Sequence, residues 1–366
     1  MRSFIGGLVI GLAAGVLLAV TLPGGERGLD GGNAVPVGGA KGSGARNGLQ
    51  WKMASAFPGS MVPWGPLAKR TAASIGTATG GRLTVAFHEP GALVPALDLF
   101  DTVSSGAVEA GFAQPGLWAA KAPALQLFGA IPFGPQPTEF LAWFDRGGGR
   151  QEFEAIYHKR NIHGLLCGIA VPGGGWFKRE VEQPGDLNGL RLAASGLAAK
   201  VLAQLGAKPS RMAPGDVAEG FKAGALDGAV GMLPSAGVAL KLNQSAKFQY
   251  FPGWHRQAGA LELLVNLPRW RALDDDAKAG IEAVCAANLG KSLAESEAGQ
   301  FAALKELVLA GVEVRQWKPA MIDALRNAWR SVASEQASEN QDFRRVWKQL
   351  GAFREDYAIW RELGYL

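Results

Sequence analysis

The sequence predicts an α/β protein of two lobes joined by crossing strands, with long helices at its carboxyl end. Three observations predict it. The chain has 366 residues, more than one core ordinarily organises. From Leu49 onward, short strand-like runs alternate with helical ones, the pattern of a parallel or mixed sheet with helices on its faces. The stretch Cys167–Leu205 then reads as a buried strand, a crossing at Gly173, Gly174 and Gly175, a second strand through Trp176 and Phe177, a turn, a short strand and a helix. Glycines at such a crossing let backbone approach backbone, or a ligand, with no Cβ in the way. A crossing between lobes is where a cleft forms, and clefts hold small ligands.

Composition narrows the function classes. With 48% hydrophobic and 19% charged residues the chain is globular rather than disordered. A net charge of +5, spread over 37 basic and 32 acidic residues without a run of like charges, excludes a nucleic-acid stripe. His88, His158, His163 and His255 show no metal-ligand spacing, so neither metal nor cofactor is expected. Cys167, in an apolar strand, and Cys285, on the apolar face of a helix, read either as two buried free thiols or as one disulfide. There is no GxSxG and no paired-carboxylate spacing, and Gly147-Gly148-Gly149 lacks the Lys and Ser/Thr of a phosphate loop. An enzyme is therefore not expected.

The amino terminus carries an uncharged run, Phe4 to Leu22, behind a single basic residue, Arg2. At roughly 20 residues it is long enough to cross a bilayer as a helix. It ends in Val20-Thr21-Leu22-Pro23, a poor cleavage site. Residues 1–23 are expected to be an uncleaved signal anchor, with a removed signal peptide as the alternative, and the remainder to be exported. Residues 24–47 are glycine-rich and without hydrophobic period, which predicts a flexible linker.

In the body, 48–366, LQWKMAS alternates as a strand, Pro66 to Ser74 is helical, and LTVAFH is a strand. A helix from Pro95 to about Ser104 leads into the short strand EAGFA; helices follow at Thr138–Phe144 and Arg150–Arg160. Ser195 is a plausible N-cap for Gly196–Leu205, with Gly206 at its end, and Asp216 for a helix through Ala223. LDGAVG, FQYFPG and LELLVN read as strands, and Asp274–Leu309, Ala320–Glu339 and a last segment as long amphipathic helices. The first lobe is expected at about 48–168 plus parts of 256–366, and the second at about 172–254.

The stretches GGRLTVAFHEPGALVPALDLFDTVSSGAVEAGFA, AIPFGPQPTEFLAWF, GGGWFKREVEQPGDLNGLRL and YFPGWHRQAGALELLVN carry a resemblance. In this order they resemble the extracytoplasmic solute-binding proteins of tripartite ATP-independent periplasmic (TRAP) transporters, closest to the branch that takes keto acids and related monocarboxylates. The resemblance implies a two-lobed, type II-like periplasmic solute-binding fold that closes on a carboxylate, and pairing of two copies through carboxyl-terminal helices.

It also implies site residues, and here the sequence departs from the pattern. The arginine that grips the carboxylate falls at Ala193, leaving Arg191, two residues before it on the same strand face, as the candidate heir. Pro172 stands at the place of a glutamine, Val230-Gly231 at that of an acidic-aromatic pair, and Gly116-Leu117 at that of a tyrosine pair, though Trp118 and Lys121 fit. Of the groups that the resemblance implies beside a cation, Glu262 is the one counterpart, and one carboxylate is a poor cation site. Trp118, Phe133, Trp176, Met232 and Trp254 are expected as apolar walls, with Arg191 and Glu262 as the polar members. The cleft is expected to be roomier and more apolar than the family's, uncompensated for a carboxylate unless Arg191, Lys121 or His255 turns inward.

Two functions follow. One is a receptor that hands a small organic solute, an organic acid for preference, to the membrane subunits of a transporter. The other is a ligand-free, membrane-tethered accessory subunit of a membrane complex that reuses the same fold.

Overall fold

The computed structural model describes residues 48–364; the expected anchor and linker at 1–47 lie outside the described residues. Two mixed sheets form the scaffold. The first is built from β1 (Leu49–Ser55), β2 (Leu83–His88), β3 (Ala110–Ala113), β4 (Ile162–Ala170) and β10 (Gly259–Asn266), in the order β2-β1-β3-β10-β4. β1 runs parallel to β2 and β3, and β10 antiparallel to β3 and β4. The second takes β5 (Gly174–Phe177), β6 (Arg191–Ala193), β7 (Lys208–Ser210), β8 (Gly228–Met232), β9 (Phe248–Phe251) and β11 (Glu313–Gln316), in the order β11-β9-β5-β8-β6-β7.

The chain passes between the sheets twice through short irregular segments, from β4 to β5 across 171–173 and back from β9 to β10 across 252–258, and a third time from β10 through helices to β11. The two short crossings touch backbone to backbone. A Cβ at Gly253 would sit 2.2 Å from the carbonyl oxygen of Gly173, and one at Gly173 2.7 Å from that of Gly231. Only glycine permits that approach. β4 and β10 are buried along their whole length, so they lack an alternation of buried and exposed residues, and the few polar side chains in them, His163, Glu262 and Asn266, are buried too.

The helix Asp275–Leu309 runs for 35 residues, about 52 Å at 1.5 Å per residue. The Asp274 carboxylate accepts the backbone N–H of Ala277 at 2.7 Å and caps its start, with Asp275 and Asp276 favourably placed at the positive pole. It packs on β4, on the helix Trp64–Ala78 and on the helix Pro234–Ala239, which follows β8 of the second sheet. Cys167 of β4 and Cys285 of this helix form a disulfide, which decides between the two readings of the cysteines. The last two helices, Pro319–Glu339 and Gln341–Leu363, fold back on the body, the first against the helix Gly196–Gln204 and the second against Pro137–Arg146 and Gly149–His158.

Most elements fall within a few residues of the sequence expectation. The helix expected from Pro95 begins only at Leu99, because Ala92–Asp98 is a series of turns. β11 was not expected; its burial pattern is exposed throughout, which leaves no periodicity to read. Ser195 and Asp216 occupy N-cap positions, yet neither side chain accepts a hydrogen bond there. Among the described residues no helix is long and apolar enough to cross a membrane.

Candidate functional site

Between the sheets lies a cavity of about 80 Å³. Trp64, Gln114, Leu117 and Gln126 come from the side of the first sheet; Ala193 to Ala198, Met212, Val217 and Ala229 to Met232 from the second; and His255 and Arg256 from the returning crossing. The space is about half of the ~150 Å³ that takes up benzene in an engineered apolar cavity, so it suits a solute of few heavy atoms.

Arg256 dominates the electrostatics. Its side chain is buried, the residue 3% exposed, and no carboxylate among the described residues pairs with it. Nε and Nη2 donate to the carbonyl of Val171 at 3.2 and 3.1 Å, and the guanidinium lies 5.6 Å from the centre of the Trp64 ring. A guanidinium has five N–H donors, and those two bonds leave Nη1 without a partner among the described residues. Burial brings its pKa down to about 10, which leaves it charged at neutral pH.

Three further groups face the same space. His255 is buried and neither ring nitrogen has a partner; burial, and then the charge of Arg256, hold its pKa well below the ordinary imidazole value, so it is neutral. Gly231, at φ 96°, leaves room for that ring, since a Cβ there would stand 2.9 Å from His255 Nε2. Gln126 donates from Nε2 to the carbonyl of Pro123 at 3.0 Å and keeps a buried, unpartnered Oε1. The helix Gly196–Gln204 begins at the cavity wall, and the N–H groups of a helix's first turn have no acceptors within the helix and form its positive pole. Gln126 Oε1 and one nitrogen of the neutral imidazole are acceptors, the guanidinium, the other imidazole nitrogen and the helix start are donors, and no lining residue is Asp or Glu. The arrangement suits a small anion with two adjacent oxygens.

Of the expected site residues, Met232 lines this cavity and the others do not. Trp118 is fully buried on the first sheet, where its Nε1 donates to Glu262 at 2.7 Å. The hydroxyl of Tyr157 donates to the other oxygen of Glu262 at 2.5 Å. That carboxyl is enclosed; burial raises its pKa to about 8, against the pull of its two donors. Trp176 packs into the second sheet so closely that a Cβ at Gly237 would meet its ring at 2.2 Å. Phe133 and Trp254 pack against each other outside the cavity lining with rings tilted by 31° and centres 6.3 Å apart, and the Arg326 guanidinium lies 4.5 Å from the Phe133 ring. Arg191 lies half-exposed outside the cavity, its Nη2 2.7 Å from Asp227 and its Nε 2.9 Å. Lys121 pairs with Asp101.

Where a roomier and more apolar cleft than the family's was expected, the structure has a cavity of about 80 Å³ whose lining includes a guanidinium. Of the altered positions, Ala193, Gly116-Leu117 and Val230-Gly231 line the cavity and Pro172 does not. The residue missed is Arg256. Its burial follows from the contact between the two crossings at Gly253 and Gly173, which only the structure reveals.

Comparison with known proteins follows from this geometry. The family described as "Bacterial extracellular solute-binding protein, family 7" matches residues 55–340. The "Monocarboxylate 2-oxoacid-binding periplasmic protein" of Nostoc sp. is 30% identical over 323 residues, 87% of each chain. A TRAP transporter solute-binding protein of Bordetella bronchiseptica, solved as a mixed-occupancy dimer with calcium and picolinate, is similar at TM-score 0.84 and 29% identity, covering 86% of this chain and 94% of that one. A TRAP periplasmic solute-binding protein of Colwellia psychrerythraea, solved with calcium and pyruvate, is similar at TM-score 0.81 and 25% identity, covering 86% and 97%.

Proposed function

The chain belongs to the bacterial extracellular solute-binding proteins of family 7, and from that premise we propose that it is the receptor of a TRAP-type transporter for a small monocarboxylate, a 2-oxo acid for preference. The observation that carries the ligand class is the buried guanidinium of Arg256, facing a cavity sized for a few heavy atoms and free of acids. A carboxylate matches its fork, and the N–H of neutral His255 can donate to an oxygen on the neighbouring carbon, whereas Gln126 Oε1 can only accept. The names of the Nostoc and Colwellia proteins point to the same class. The unpartnered imidazole of His255 and Oε1 of Gln126 also argue against a ligand-free accessory role, since buried polar groups without partners are costly to retain.

In this reading the two sheets belong to two lobes, about 48–168 with parts of 256–366 and about 172–254, which close on the acid. Met232 supplies apolar wall, and Trp118, Phe133, Trp176 and Trp254 fix the shape from behind. Residues 1–23 tether the receptor to the inner membrane, and the end of the last helix, where Ile359 and Leu363 are 65% and 79% exposed, pairs with a second copy. The test is thermal unfolding of the purified full-length chain against pyruvate, 2-oxobutyrate, 4-methyl-2-oxovalerate, lactate and pyroglutamate. At 100-fold excess over its dissociation constant a true ligand adds about 2.7 kcal/mol of stability. No shift with any acid defeats the proposal.

A further inference from the structure

We propose that the guanidinium of Arg256 stands in for a metal cation, so that this receptor holds its acid without one. The inference rests on the preceding reading and deepens it. The Bordetella and Colwellia proteins were solved with calcium as well as an acid, which makes it necessary to ask whether this cavity fits such an ion.

It does not. Calcium takes six to eight oxygen ligands, carboxylates prominent among them. Here no Asp or Glu lines the cavity, and among the described residues no three His, Cys, Asp or Glu side chains gather as a metal site. Val230 and Gly231 occupy the wall where the resemblance implies an acid and an aromatic ring. Glu262, the remaining candidate, has one oxygen on Trp118 and the other on Tyr157 and lies outside the cavity. A dication placed in about 80 Å³ against buried Arg256 would also bring like charges within a few ångströms of each other at low dielectric.

Arg256 supplies what an ion would supply, and more directionally. It neutralises the carboxylate, presents two oxygens with parallel N–H donors from a rigid fork, and is held in place by the Val171 carbonyl and the Trp64 ring. It is covalently attached, so its charge is present without a dissociable ion.

The test is calorimetric titration of the full-length chain with the same five acids in three buffers: chelator-treated with choline as the sole bulk cation, the same plus sodium, and the same plus calcium. We expect equal affinity in all three, within about twofold. Arg256→Met should weaken binding by about 100-fold in every buffer, as for truncation of one partner of a buried ion pair, with Arg256→Lys between the two. Thermal unfolding of each unliganded variant checks that it folds. Binding that requires sodium or calcium, or tightens more than about tenfold on adding either, overturns the inference while leaving the proposed function standing. Unchanged affinity in a folded Arg256→Met protein also overturns it. If no acid binds in any buffer, the inference falls together with the proposed function.

Discussion

Arg256 and Glu262 lie six residues apart on either side of the start of β10, both buried, and they make opposite use of burial. Glu262 has a donor on each oxygen and a pKa raised to about 8, so its surroundings leave nothing for a ligand to do. Arg256 spends two donors on one carbonyl and leaves Nη1 without a partner among the described residues, at a cavity that the unpartnered ring of His255 and the unpartnered Oε1 of Gln126 also line. What separates structure from site is the count of unused hydrogen-bonding groups, because a buried polar group left without a partner is costly and persists where something else satisfies it.

Several experiments would break or sharpen this contrast, in descending order of effect. Removing the disulfide as Cys167→Ser with Cys285→Ala should cost about 2–4 kcal/mol by freeing the unfolded chain, as read by urea denaturation; it affects the scaffold under both residues, so ligand affinity in the folded protein should stay within about threefold. Glu262 predicts a pH dependence. Its pKa is higher folded than unfolded, so the folded state binds more protons, and its stabilisation is full below about pH 4.5 and lost as pH rises through about 8. Denaturation at pH 5, 6.5 and 8 should therefore show a loss of a few kcal/mol that Glu262→Gln flattens. An equally steep profile in the variant would mean that this carboxyl is already ionised at pH 5. Gly231→Ala should weaken acid binding by about tenfold, since its Cβ needs the space of the His255 ring and its φ of 96° strains any side chain. Smallest of all, Arg191→Ala should leave affinity within about twofold, because that guanidinium is paired with Asp227 at the surface. A large loss there would return the carboxylate grip to β6.

The mixed α/β architecture was legible because strand and helix periods, glycine crossings and family stretches agreed along most of the chain. The site was half legible. Ala193 and Val230-Gly231 showed which walls had lost their polar groups, and the cavity is there. Glu262 was misplaced because β10 is buried on both faces, so alternation could not tell which side the carboxylate takes. Trp118 and Trp176 read equally well as wall or core, and packing in three dimensions made them core. Arg256 gave no local sign, because an arginine in a loop is ordinarily solvated; only the closeness of the two crossings puts it indoors.

The bolt between β4 and the long helix has a mechanical corollary. It fixes the early half of that 35-residue rod to the first sheet, while the later half rests on Pro234–Ala239, where Gln300 bonds the backbone N–H and hydroxyl of Ser235. If the sheets part to admit a guest, the rod must travel with the first, and its grip on Ser235 is where slippage has to occur. Amide exchange at Ser235 would then serve as a clock for gate opening, ticking faster in the empty receptor than in the filled one.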